Sequence, residues 1–126
     1  MSLMNFTFDQ SRPIYQQLAD QLEEMIFLGI FKPHDQVPST TQLSQQLHVN
    51  PATILKGMNQ LVDKGLLEKK RGLGMFVTAK APAMIQAKRQ EDFYSNYVKA
   101  IVAEACKLNI NEDTLINLIK RGYDHD

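Results

Sequence analysis

The chain has very little cysteine: Cys106 stands alone among 126 residues. No internal disulfide can form, and a Cys-rich zinc site is excluded. Net charge is also lacking, with 14 Lys+Arg against 14 Asp+Glu. An indiscriminate polyanion binder of the histone kind is therefore excluded, although a local basic patch is not. No apolar run approaches the ~18–20 residues that a membrane-spanning helix requires. No basic-then-apolar leader opens the chain. A reduced, cytoplasmic protein with no membrane contact is expected. Hydrophobic residues make up 44% of the chain, which excludes global disorder. Met1 and Met4 point to Met4 as the natural start, with the three residues before it left by cloning.

Periodicity predicts a first helix over 13–29. Ile14, Tyr15, Leu18, Leu22, Met25 and Ile26 lie on one arc, with Gln16, Gln17, Asp20, Glu23 and Glu24 opposite. Ser11 is its expected cap, Pro13 its first residue and Gly29 its terminator. Phe27 falls on the polar side. Pro33 and Pro38 exclude a helix between them and leave a short extended piece at Gln36-Val37. Ser39 caps a second helix over 40–47, carrying Leu43 and Leu47. His48-Val49 is the turn. Asn50 then caps a third helix, with Pro51 at its first position. Ile54, Met58, Leu61 and Val62 form its apolar arc, and Ala52, Thr53, Lys56, Gln60 and Asp63 face away. Gly65 ends it. Leu66–Lys70 and Met75–Thr78 read as two strands joined by the turn Arg71-Gly72-Leu73-Gly74.

Ala81-Pro82 marks the end of this unit. A long helix is predicted from 83 to 107, with Phe93, Tyr94, Tyr97, Val98, Ile101, Ala105 and Leu108 in a broad apolar stripe that Val102 widens. Asn111 caps a last helix over 112–121, bearing Leu115, Ile116, Leu118 and Ile119 and closed by Gly122. A two-helix appendage cannot bury such a stripe on itself. A symmetric dimer is expected, through Phe93, Tyr94, Tyr97, Val98, Ile101, Val102, Leu115 and Ile119. Cys106 beside the stripe reads as a buried small hydrophobe.

Two short helices joined by a tight turn and followed by a basic glycine-containing hairpin form the winged helix-turn-helix pattern. The fold class is α+β, mostly α: a winged domain over 5–80 and a helical dimerisation tail over 81–126. Residues 1–80 carry eight basic and seven acidic side chains, yet Lys64, Lys69, Lys70 and Arg71 gather at the wing with only Glu68 against them. Thr53, Lys56 and Gln60 offer the donor-rich face that a major groove requires.

Pro13-Ile14-Tyr15-Gln16-Gln17-Leu18, Gly29-Ile30-Phe31-Lys32-Pro33 and Val37-Pro38-Ser39 resemble the opening of GntR-type bacterial transcription regulators. Residues 43–53, 61–67 and 71–77 resemble their helix-turn-helix, the end of the recognition helix and the wing. Pro13-Ile14-Tyr15, Asn50-Pro51 and the short tail resemble the YtrA-like subfamily. The resemblance implies repression and dimerisation through the tail. It implies an operator in an operon with an ABC transporter, and no large effector domain or fused aminotransferase domain. It also exposes two departures: the family usually has arginine where this chain has Thr41 and Leu55. Threonine and leucine cannot make arginine's bidentate contacts.

The expected DNA contacts are Ser39, Thr40 and Thr41 to the backbone and Asn50, Ala52, Thr53, Lys56 and Gln60 on the recognition surface. Lys69, Lys70, Arg71 and Gly72 serve the wing. The partner is double-stranded DNA, read by a homodimer on a palindromic site with half-sites ~34 Å apart. Affinity is expected to be weak or strongly salt-sensitive, resting on few phosphate contacts per subunit. The rival reading is a protein-interaction module. A third is a sensor with a small-molecule effector, for which the crevice between tail and winged domain near Phe27 is the only pocket the sequence offers. His34, His48 and His125 have no metal-ligand spacing. Gly72 and Gly74 form no phosphate loop. No catalytic set and no cofactor are expected.

Overall fold

The structure is a computed structural model that describes residues 6–125. The expectations for Met1–Met4 and Asp126 lie outside them. The elements in chain order are α1 (Ile14–Phe27), α2 (Thr40–Leu47), α3 (Pro51–Asp63), β1 (Leu67–Lys70), β2 (Gly74–Val77), α4 (Ala81–Phe93), a π-helical stretch (Tyr94–Val98), α5 (Lys99–Lys107) and α6 (Glu112–Asp124). They divide into two compact units that meet between residues 87 and 88.

In the first unit the apolar arcs of the helices converge as their spacing requires. Leu18, Leu22 and Ile26 of α1, Leu43 of α2, and Ile54, Met58 and Leu61 of α3 are fully buried in one core. Leu67 and Val77 of the hairpin, together with Val37, close it. Helices α1 and α3 approach closely because α3 carries a glycine at their contact. A Cβ on Gly57 would stand 2.7 Å from the Tyr15 carbonyl oxygen. Ala81 and Ile85, on the first two turns of α4, are buried in this same core.

Short local signals set the boundaries. Ser39 and Gln42 form a capping box on α2: the Ser39 hydroxyl accepts from the Gln42 N–H, and the Gln42 amide oxygen accepts from the Ser39 N–H. Asn50 Oδ1 accepts from the Ala52 N–H at 2.8 Å to cap α3. Between these helices His48 adopts the left-handed conformation, φ 56°, which makes the turn tight. Strands β1 and β2 pair antiparallel, Leu67 opposite Val77 and Lys70 opposite Gly74. The extended piece at Gln36-Val37 joins them: Gln36 bridges to Phe76, and the Val37 N–H donates to the Met75 carbonyl at 3.0 Å.

The start of α1 differs from expectation. Pro13 is itself the cap residue, and no side chain caps the helix. Ser11 instead donates through both N–H and hydroxyl to the Asp9 carboxylate. Those bonds hold that carboxyl below its ordinary range. Gln17, expected on the polar face, is buried. Its amide oxygen accepts from the Asp9 N–H, and its Nε2 donates to the carbonyls of Asp9 and Arg12. One turn on, Gln21 pairs in the same way with both backbone groups of Thr7. The two glutamines act as a hydrogen-bonding edge for residues 7–9, and the alternate residues Phe6 and Phe8 pack against the core. A burial penalty on a satisfied amide is small, so a helix can place glutamine there.

In the second unit, residues 88–125, Ala105 is the sole buried residue among those described. Val98 and Leu115 are half-buried. Phe93, Tyr94, Tyr97, Ile101, Val102 and Ile119 are exposed. Three expectations change. The long helix is interrupted by the π-helical turn, which inserts an extra residue per turn and shifts the stripe's phase. Cys106 is exposed and not buried, although its neighbour Ala105 is. Gly122 lies within α6, which runs on to Asp124; no left-handed cap forms there. Phe93 and Tyr97 rings pack at 5.3 Å between centroids. Among the described residues, no helix is long and apolar enough to cross a membrane.

Candidate nucleic-acid interface

Three parts of the first unit meet at one surface: the N-terminus of α2, the outward face of α3 and the β1–β2 wing. Between them lies a cleft of about 510 Å³. Its lining combines Ser39, Thr40 and Thr41 of the α2 start, Lys69, Lys70, Arg71, Gly72 and Gly74 of the wing, and the apolar side chains of Leu55, Met58 and Met75. Residues 39–41 and 69–72, far apart in the chain, thus line a single site. Around the same helix, Ala52, Leu55, Lys56, Asn59, Gln60 and Asp63 border a second, shallow groove of about 430 Å³. Leu55 lines both.

The recognition face is held from behind. Lys56 Nζ lies 4.1 Å from the centroid of the Tyr15 ring on α1, a cation–π contact that limits where the ammonium can go. Thr53 and Gln60 are half-buried, whereas Ala52 and Lys56 are exposed. Thr40 turns inward and donates its hydroxyl to Met58 Sδ at 3.8 Å, leaving Thr41 as the exposed member of that pair. The side-chain oxygens of Ser39 and Asn50 cap the two helices, so both residues position backbone N–H groups at this surface.

The wing is a cationic arm. Gly72, at φ 77°, and Gly74, at φ 124°, supply turn conformations that other residues adopt at a cost. Gln36 Nε2 donates to the Leu73 carbonyl at 2.6 Å and ties the tip to the strand beneath. Lys70 Nζ sits 4.7 Å from the Phe76 ring centroid. Lys69, Lys70 and Arg71 have no carboxylate partner among the described residues. Lys64 does have one: its ammonium pairs with Glu23 of α1 at 3.3 Å. The basic run read from the sequence therefore divides. One cation braces α1 against the end of α3, and three remain at the wing.

Sequence reasoning missed Asn59, Tyr15 and Gln36. Asn59 was legible, since it stands three residues after Lys56 and four after Leu55 on the same face. Tyr15 and Gln36 act across elements, and no local spacing announces them. Among the described residues, no group of three or more His, Cys, Asp or Glu could hold a metal ion.

Residues 14–77 match the family profile described as bacterial regulatory proteins, gntR family. The chain is 37% identical over 71 residues to the HTH-type transcriptional repressor YtrA of Bacillus subtilis, a match covering 56% of this chain and 55% of that one. It is 28% identical over 117 residues to the uncharacterized HTH-type transcriptional regulator YhcF of the same organism, covering 93% and 95%. A GntR family transcriptional regulator from Listeria monocytogenes superposes with a TM-score of 0.68 at 28% identity, over 90% of this chain and 98% of that one. The structure of AraR(DBD) in complex with operator ORE1 superposes with a TM-score of 0.53 at 31% identity, over 60% and 95%. The chain spans about half the length of the YtrA repressor.

Proposed function

The chain belongs to the gntR family of bacterial regulatory proteins, and from that footing we propose that it is a homodimeric repressor that occupies a palindromic operator. It is a transcriptional regulator with a winged helix-turn-helix DNA-binding domain, and its relatives are regulators rather than enzymes. The observation that carries the finer reading is the convergence at one surface: the α2 N-terminus, the outward face of α3 and three wing cations that have no carboxylate partner among the described residues. In this reading α3 enters the major groove, where Ala52, Thr53, Lys56 and Gln60 meet base edges. Backbone N–H groups ordered by Ser39 and Asn50, with Thr40 and Thr41 beside them, meet phosphates. Lys69, Lys70, Arg71 and Gly72 follow the adjacent backbone.

Dimerisation is supported by the second unit. Thirty-eight residues that bury Ala105 alone have no core to hold them, while Phe93, Tyr94, Tyr97, Ile101, Val102 and Ile119 are exposed. A second copy of the same apolar face, with Val98 and Leu115 at its edge, would cover it symmetrically. Two recognition helices then read two half-sites. Repression follows the named activity of the YtrA relative. Such a regulator acts in the cytoplasm, where its operator is, and a target in its own operon is the first to test.

A gel shift against DNA upstream of its own gene, at low salt, tests the reading. A discrete complex that scrambled DNA does not compete away is expected. Equal retention of both DNAs would remove the specific operator, and retention of neither would favour a protein-docking role for the winged domain instead.

A further inference from the structure

Leu55 is the one large apolar side chain exposed on the outward face of α3. Ile54, Met58 and Leu61 of the same helix are buried, but Leu55 is 38% exposed and lies outside the core cluster. A lone exposed leucine on a protein surface is ordinary. The setting here is different. Leu55 lines the groove it shares with Lys56, Asn59 and Gln60, and also the cleft whose rim carries Lys69, Lys70 and Arg71. Asp63 closes the far end of the α3 groove, but the cleft on the wing side carries no acid, so what covers Leu55 there is apolar at the point of contact and anionic beside the three wing cations. The thymine C5 methyl group, which projects into the major groove between two phosphate strands, has that combination.

We propose that Leu55 is a specificity-determining residue that reads a thymine methyl group in the operator's major groove. The inference rests on the DNA-binding reading above. A leucine side chain offers no donor or acceptor, so it cannot hydrogen-bond any base edge. Set against guanine or cytosine it would strip water from polar atoms and return nothing. Set against thymine it buries a methyl group. The α3 surface therefore divides its work: Lys56, Asn59 and Gln60 hydrogen-bond, and Leu55 selects an A·T pair by shape and apolar contact.

The test uses the full chain and a site selected from randomised duplex DNA. The wild type is expected to enrich an A·T pair at one position per half-site. Deoxyuridine in place of that thymine removes only the methyl group. It is expected to weaken binding about fourfold per half-site, equivalent to about 0.8 kcal/mol. Leu55→Ala should bind the two DNAs with equal affinity, and Leu55→Arg should shift the enriched position toward guanine. Equal affinity of the wild type for thymine and uracil at every position of the selected site would overturn the proposal, as would discrimination that persists in Leu55→Ala. Either result leaves sequence-specific binding standing. A wild type that enriches no sequence would overturn both this proposal and the function it rests on.

Discussion

The Lys56 ammonium stands 4.1 Å from the centre of the Tyr15 ring, so the first helix of the domain restrains a side chain on the surface of the third. The contact places a cation on the recognition face without a carboxylate, which DNA phosphates would repel. A cation–π pair at a site of this exposure is worth about 0.5–1 kcal/mol. Tyr15→Leu is therefore expected to lower operator affinity about twofold to fivefold. Tyr15→Phe, which keeps the ring, should leave it unchanged. Fluorescence anisotropy with both variants checks this, and equal losses in the two would mean that the hydroxyl, not the ring, matters.

One residue further along α3, Gly57 faces the backbone of α1. A Cβ there would lie 2.7 Å from the Tyr15 carbonyl and 3.1 Å from Leu18 Cδ2. Alanine ordinarily stabilises a helix interior over glycine by about 1 kcal/mol. Here Gly57→Ala should instead destabilise the domain by about 1–3 kcal/mol, the usual cost of overpacking. Urea denaturation reads the sign directly, and a stabilised variant would contradict the close approach.

Gln17 makes three hydrogen bonds to residues 9 and 12 while buried to 4% exposure. Gln17→Ala leaves those backbone groups unpaired and should cost about 1–3 kcal/mol. Hydrogen exchange at the Asp9 amide should accelerate in the variant. Unchanged protection there would show that Gln21 with Phe6 and Phe8 holds the arm without Gln17.

Lys56 and Lys70 differ in what they can read. Lys56→Ala is expected to lower affinity and to alter sequence preference. Lys70→Ala should weaken all sequences about equally and reduce the salt slope by about 1. The reverse pattern would reassign the two roles. With Lys64 engaged by Glu23, few wing cations per subunit remain for phosphates. A salt slope of the wild type typical of ten or more contacts would contradict that accounting.

Much of the winged unit was legible in the sequence because its signals are local. Ser39 with Gln42, Asn50 with Pro51, and Gly65 mark helix ends within a few residues, and α2, α3 and the hairpin lie where those signals put them. What escaped is non-local. Gln17 looks polar to any periodicity argument, and only the backbone of residues 9–12 folded over it explains its burial. Lys64 reads as part of a basic run until Glu23, 41 residues earlier, stands beside it. In the tail the stripe was visible, but the π-helical turn was not, since an inserted residue leaves no compositional mark. Thr41 and Leu55, noticed only as departures from a family pattern, prove to line one cleft with Lys69, Lys70 and Arg71.

Light scattering at micromolar concentration tests whether the tail pairs two chains. A mass near twice 14.4 kDa is expected. Tyr97→Asp, which sets a charge in the exposed stripe, should halve it. A monomeric wild type would remove the dimer from the account.

The most direct measurement is a competition titration at fixed salt between a selected palindromic site and the same duplex scrambled. The account predicts a preference of at least about 10³-fold for the selected site, the ordinary range for a specific DNA-binding protein. Equal competition by the two duplexes would contradict it.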